Sequence, residues 1–142
     1  MRADVYTILL IEDNLGDVRL IHECLRFYDI RYELTHCDTV ESALYTVNAY
    51  RPGDAHVPDL ILLDYNLPRG EARTVIAAAM ENPALVHTLK AVVTSSVSQK
   101  DRQEALASGA DRFIYKPADL DAFLSEVGGK IARLLSTRLP LA

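Results

Sequence analysis

Cysteine is scarce in this sequence. Cys24 and Cys37 are the two among 142 residues, and they form no metal-binding or redox motif. They read as buried thiols in a reducing compartment, for which the cytoplasm is the simplest location. Positive charge is also short. Fifteen Lys and Arg stand against twenty Asp and Glu, a formal net charge of −5. Nucleic-acid binding needs a basic stripe that this balance does not provide. No apolar run approaches the roughly 20 residues of a membrane span. The start, MRADVYTILLIEDN, puts acids where the small residues of a signal-peptide cleavage site would stand. What is present is a globular composition, 49% hydrophobic and 25% charged, in a chain that fits one domain and can bury a real core.

Short apolar runs alternate with helical patterns. Val5 to Ile11 reads as a strand, and Val18, Ile21, Leu25 and Tyr28 then recur at helical spacing. Arg31 to His36 alternates and reads as a strand nearer a sheet edge. Thr39 is a candidate N-cap for a helix reaching Tyr50. Leu60 to Leu63 is a continuous apolar strand that runs into Asp64, and a helix is expected at about Glu71 to Glu81. Leu89 to Thr94 is a fourth strand. Ser98 caps a polar helix that Gly109 stops. Arg112 to Lys116 is a fifth strand, and a last helix runs from near Pro117 to about Ser136. Strict strand–helix alternation implies right-handed crossovers and a parallel sheet covered on both faces.

In such sheets ligands sit at the carboxyl ends of the strands. Those ends carry Glu12 and Asp13, Asp64, Thr94 with Ser95 and Ser96, and Lys116. Three carboxylates in one crevice repel and drive at least one pKa up. A hard divalent cation removes that conflict, and magnesium suits a site offering a few oxygens, the Asn66 backbone carbonyl among them. A carboxylate can attack phosphorus and become an aspartyl phosphate. Lys116 would offer a point charge to a phosphate oxygen and Thr94 a hydroxyl donor. The product carries roughly −2 charge and can draw nearby loops inward.

The segments IEDN (11–14), LLDYNLP (62–68), VVTSS (92–96) and SGADRFIYKP (108–117) together resemble the receiver domain of two-component response regulators. The chemotaxis regulators share this fold. The resemblance spans about Val5 to Leu135. The LIEDN opening and the NLPR turn are most similar to small regulators paired with phytochrome-type histidine kinases. It implies a doubly wound α/β fold, a five-stranded parallel sheet in the flavodoxin-like order 2-1-3-4-5. It implies Asp64 as phosphoacceptor and Mg²⁺ on Glu12, Asp13, Asp64 and the Asn66 carbonyl. Thr94 would be the switch hydroxyl, Lys116 the phosphate contact and Phe113 the switch aromatic. Asn66 and Ser96 would tune dephosphorylation. A sensor histidine kinase and a downstream protein are the implied partners, with no enzymatic output beyond the protein's own phosphorylation and dephosphorylation. The family's usual glycine before the third helix is replaced by Ala72, so the PRGEAR turn is expected to be remodelled around Gly70.

Three other readings compete. An aspartate-nucleophile phosphohydrolase often carries a second aspartate two residues after the first, where this chain has Asn66. A flavin carrier needs amide and hydroxyl donors after the first strand, where Glu12 and Asp13 would repel a phosphate. An unphosphorylated pseudo-receiver scaffold stays open because of Ala72. Phe113 also fits plain packing. His22, His36, His56 and His87 show no ligand spacing, and QKDRQEA fits either a solvated face or a partner surface.

The organisation expected is a receiver domain over residues 1–136 and an arm over 137–142, with no second domain for DNA binding or catalysis. The internal Gly128 and Gly129 mark a bend or a close approach by another chain, and together with the wide apolar stripe of the last helix and the leucines of TRLPLA they suggest a homodimer. Its expected contacts are Leu134, Leu135, Leu139 and Leu141. Deleting residues 137–142 should lower the molar mass seen by light scattering from dimer to monomer. An unchanged dimer would remove the arm from the contact.

Overall fold

The computed structural model describes residues 5–137, so Leu139 and Leu141 lie outside the described residues. Five strands form one parallel sheet in the order β2-β1-β3-β4-β5, as the family resemblance implies. They are β1 (Val5–Ile11), β2 (Arg31–Cys37), β3 (Leu60–Leu63), β4 (Leu89–Thr94) and β5 (Arg112–Tyr115). Parallel strands need crossovers, here made by α1 (Leu15–Phe27), α2 (Val40–Ala49), α3 (Ala72–Glu81) and α4 (Gln99–Ala107). A single 3₁₀ turn, Pro83–Leu85, leads into β4. Among the described residues no helix is long and apolar enough to cross a membrane.

Side-chain alternation along the strands divides the interior in two. Leu9, Ile11, Ile61, Leu63 and Val92 face α2 and α3. Ile8, Leu10, Leu60, Leu62, Ala91, Val93 and Ile114 face α1 and the C-terminal helix. The four residues of β3 are all buried, whereas the edge strands leave residues exposed, Arg31, Glu33, Thr35 and His36 in β2 and Arg112 and Tyr115 in β5. Cys24 and Cys37 are free and buried, as read from the sequence. The register pairs Ile11 with Leu63, Leu63 with Val92, and Val92 with Phe113. β1, β2 and β3 therefore end level, β4 and β5 run on by two residues, and the residues after all five share one edge.

Helix starts follow their caps. Thr39 and Ser42 form a reciprocal capping box at α2, and Ser98 accepts from the Asp101 amide at α4. The last helix starts later than the sequence suggests, at Leu120 rather than near Pro117. Asp119 caps it by accepting from the Ala122 amide at 2.8 Å. It runs as α5 (Leu120–Ala122), a π turn (Phe123–Val127) and α6 (Gly128–Ser136). The PRGEAR turn is remodelled as expected. Positive φ falls on Arg69 (55°) and Gly70 (114°), and Ala72 is the buried first residue of α3.

Two expectations about the C-terminus are corrected. Leu134 and Leu135 are 8% and 2% exposed and pack with β1, β3 and β4 residues of their own chain. They are committed to the sheet and are not free for a dimer contact. At Gly128 and Gly129, read as a bend or a close approach by another chain, the space is taken by Tyr28 of the same chain. The ring of Tyr28, the C-cap of α1, lies against them, and its hydroxyl donates to the Ser125 carbonyl at 3.2 Å. A Cβ on Gly128 would stand 2.8 Å from Tyr28 Cε2 and 3.2 Å from Cys24 Cβ. Overpacking of that kind costs about 1–3 kcal/mol, more than the ~1 kcal/mol alanine gains in a helix. Gly128→Ala should therefore lower the urea midpoint of unfolding, and an equal or higher midpoint would mean that the ring can swing clear.

Candidate functional site

The shared edge gathers the chemistry. The Glu12 amide donates to the Cys37 carbonyl, the Asp64 amide to Ile11, and the Lys116 amide to Thr94, each at 2.8–2.9 Å. The backbone ladder thus holds Glu12, Asp64 and Lys116 just past β1, β3 and β5. Asp13 follows Glu12 and is exposed, while Glu12 and Asp64 are buried. Ligand oxygens of Glu12, Asp13 and Asp64 lie within 4.8 Å of one another. That spread and that hard oxygen set fit one divalent cation.

The Lys116 ammonium is the hub. Its Nζ donates to Glu12 Oε1 in a short contact, to Asp17 Oδ2 at 2.9 Å and to Asp64 Oδ2 at 3.3 Å. Burial alone would lower its pKa. The hydrogen bonds to Glu12 and Asp17 and the field of Asp64 outweigh that and raise it. Burial pushes Glu12 the other way for an acid, from the ordinary 4.5 up to about 7, with Asp64 adding repulsion and Lys116 opposing the rise. A raised acid was expected from three clustered carboxylates. Desolvation, more than repulsion, produces it.

The remaining predicted residues surround Asp64. The Asn66 amide donates to Asp64 Oδ1 at 3.0 Å, and its side-chain amide donates to Thr94 Oγ1 at 2.9 Å. Thr94 is fully buried and also accepts from the Ser96 amide at 3.3 Å. Ser96 Oγ donates to Asp101 Oδ2 of α4 at 2.8 Å, so Ser96 faces the helix more than the acids. Phe113 is half-buried in β5, edge-on to Tyr65 with ring centroids 6.5 Å apart and with Arg102 stacked 5.9 Å away.

Sequence reasoning missed three participants. Asp17 completes the cage around Lys116; its signal was a carboxylate one helical turn after Asp13. His36 Nε2 pairs with the Glu12 carbonyl at 2.6 Å, tying the end of β2 to the site. Tyr65, next to Asp64, donates through its hydroxyl to Glu104 Oε1 of α4 at 2.7 Å. Nothing in the local sequence pairs those two.

The family model of the response regulator receiver domain matches residues 8–128. Among curated proteins, the response regulator Rcp1 of Synechocystis is 35% identical over 95 residues, 66% of this chain. In that alignment the chain spans 65% of Rcp1's own length, under two thirds. Among solved structures, the phosphorylated cyanobacterial phytochrome response regulator RcpA superposes with a TM-score of 0.83 at 31% identity. The match covers 95% of this chain and 98% of that one. The Mn²⁺-bound form of Rcp1 gives 0.80 at 28% identity, covering 95% and 99%.

The Glu12 carboxyl makes the metal-free protein sensitive to pH. Its folded pKa of about 7 lies above the ordinary 4.5, so the native state binds the proton more tightly than the unfolded chain. The stability this contributes is fully present below about 4.5 and is lost as pH rises through about 7. In chelator, the urea midpoint of the native chain should fall between pH 5 and pH 8 relative to Glu12→Gln. Parallel profiles would exclude Glu12 as the titrating group.

Proposed function

The chain belongs to the response regulator receiver family, and from that premise we propose that it is a phosphorylation switch of a two-component relay, with Asp64 as its phosphoacceptor. The observation that carries this reading is the Asp64 carboxylate standing 3.3 Å from the Lys116 ammonium inside an acidic cluster. The donor would be a phosphohistidine of a sensor kinase. An Asp64 oxygen attacks phosphorus, the O–P bond forms as the P–N bond breaks, and the imidazole keeps the electron pair and takes up a proton. Glu12, Asp13, Asp64 and the Asn66 carbonyl would hold Mg²⁺, which when bound offsets charge on the phosphoryl oxygens.

Lys116 would pivot from Asp64 to a phosphoryl oxygen without leaving Glu12 and Asp17. Thr94 would release Asn66 and donate its hydroxyl to another. Asn66 and Ser96 flank that path and would tune how long the phosphoryl group survives. Phe113 would report the change at the surface of β5, where a downstream protein could read it. The likeness to RcpA, a phytochrome response regulator, supports a phytochrome-type kinase as the partner. In this reading residues 1–136 are the receiver unit and 137–142 an arm reaching a second copy.

Intact-mass spectrometry with a small phosphodonor and Mg²⁺ tests the assignment. One phosphoryl adduct should form on the native chain and be absent in Asp64→Asn or with chelator present. An adduct that persists in Asp64→Asn would move the phosphoacceptor elsewhere. Its absence with every donor would favour the scaffold reading.

A further inference from the structure

Helix α4 buries a single residue, Ala105, whereas α1, α2, α3 and α6 each bury three or four. Elements with few buried apolar groups sit at the low-stability end of a fold. Polar tethers therefore decide where α4 rests. Two of them reach back to the candidate site. Ser96 binds Asp101 in the first turn, and Tyr65 binds Glu104 one turn later, on the same helix face. Arg73 of α3 also approaches Glu104, but at 3.9 Å, while it pairs with Glu71 at 2.6 Å. Tyr65 is thus the close partner of Glu104. Its ring packs on Phe113, and its backbone is joined directly to Asp64.

We propose that the Tyr65 hydroxyl and the Glu104 carboxylate form a latch that holds α4 at rest and opposes the inward shift of the β4–α4 loop. This rests on the phosphorylation reading of Asp64. The geometry sets two ties against each other. When Thr94 turns toward a phosphoryl group it gives up the Ser96 amide as a partner, and the loop carrying Ser96 is drawn inward. Asp101 and the first turn of α4 follow through the Ser96 hydrogen bond. Glu104 cannot follow while Tyr65, anchored at the end of β3, holds it. Tyr65 is a positioning residue in this scheme, because it touches neither the phosphoryl group nor the metal ligands' oxygens.

Amide hydrogen exchange and beryllofluoride binding in Mg²⁺, both on the full chain, test the latch. Tyr65→Phe removes the hydroxyl and keeps the ring. It should speed exchange across Gln99–Ala107 in the unmodified protein about three- to tenfold, the range for one lost hydrogen bond. It should tighten beryllofluoride binding by a similar factor, because the bond is made only in the resting state. Glu104→Ala should do the same, and the double variant should go no further. Glu104→Gln keeps an acceptor and should stay near the native values. Unchanged exchange in Tyr65→Phe would overturn the tether. Faster exchange with unchanged or weaker beryllofluoride binding would overturn the opposition and leave a merely structural bond. A native chain that binds Mg²⁺ but no beryllofluoride would sink the phosphorylation reading and the opposition with it, while exchange would still decide whether Tyr65 tethers α4.

Discussion

A buried ammonium held among three carboxylates is the interaction on which the rest of this molecule is organised. Lys116 joins the end of β5 to the residues after β1 and β3 and to the first turn of α1. Removing one partner from a buried ionic group leaves an uncompensated charge, at a cost of several kcal/mol. The cluster still has a surplus of acid, since Glu12, Asp13, Asp17 and Asp64 outnumber the one lysine. That surplus suits a second cation, and in the proposed reading the lysine and cation together would make room for a phosphoryl group that four carboxylates alone would repel. The sheet register is the means to this end, because it brings the strand termini to one edge.

Stability is distributed unevenly around that hub. β1 and β3 are buried on both faces and carry the acids on rigid posts. The β4–α4 loop and α4 are attached mostly by side-chain hydrogen bonds. In the proposed reading, a change of charge at Asp64 would meet an unyielding floor and a yielding wall, which would channel displacement toward α4 and Phe113. Arg102 over the Phe113 ring and Glu104 under the Tyr65 hydroxyl put both ends of that channel on one short helix.

Much of this was legible in the sequence, for a physical reason. Parallel strands end on the same edge, so the residues after each apolar run had to meet, and Glu12, Asp64, Thr94 and Lys116 do. Caps such as Thr39 and Ser98 were legible because they act within one turn. The pairings of Asp17 and Tyr65 were not, because their partners lie 99 and 39 residues away; the one local hint was the placement of Asp17 a helical turn after Asp13. The turn before α3 was readable as a departure, since Ala72 disfavours positive φ. That the burden falls on Arg69 as well as Gly70 was not readable. Leu134 and Leu135 were assigned to a dimer contact because the glycines inside the helix and the leucines of TRLPLA pointed to another chain, whereas both pack on the sheet of their own chain.

The π turn bears on how the apolar stripe of the last helix meets one sheet face. Phe123, Val127 and Ile131 are spaced by four, and each such step overshoots a regular α-helical turn by about 40°. Two in succession would swing Ile131 about 80° away from Phe123, close to the full width of an apolar helix face. The wider turn at Phe123–Val127 takes back part of that rotation, and the Phe123 and Ser125 carbonyls accept from the Cys24 thiol of α1 and the hydroxyl of Tyr28, its C-cap. The local widening therefore works as a phase correction. It lets a helix with an off-period apolar spacing keep a straight seam, and α1 supplies the fasteners that hold the correction in place.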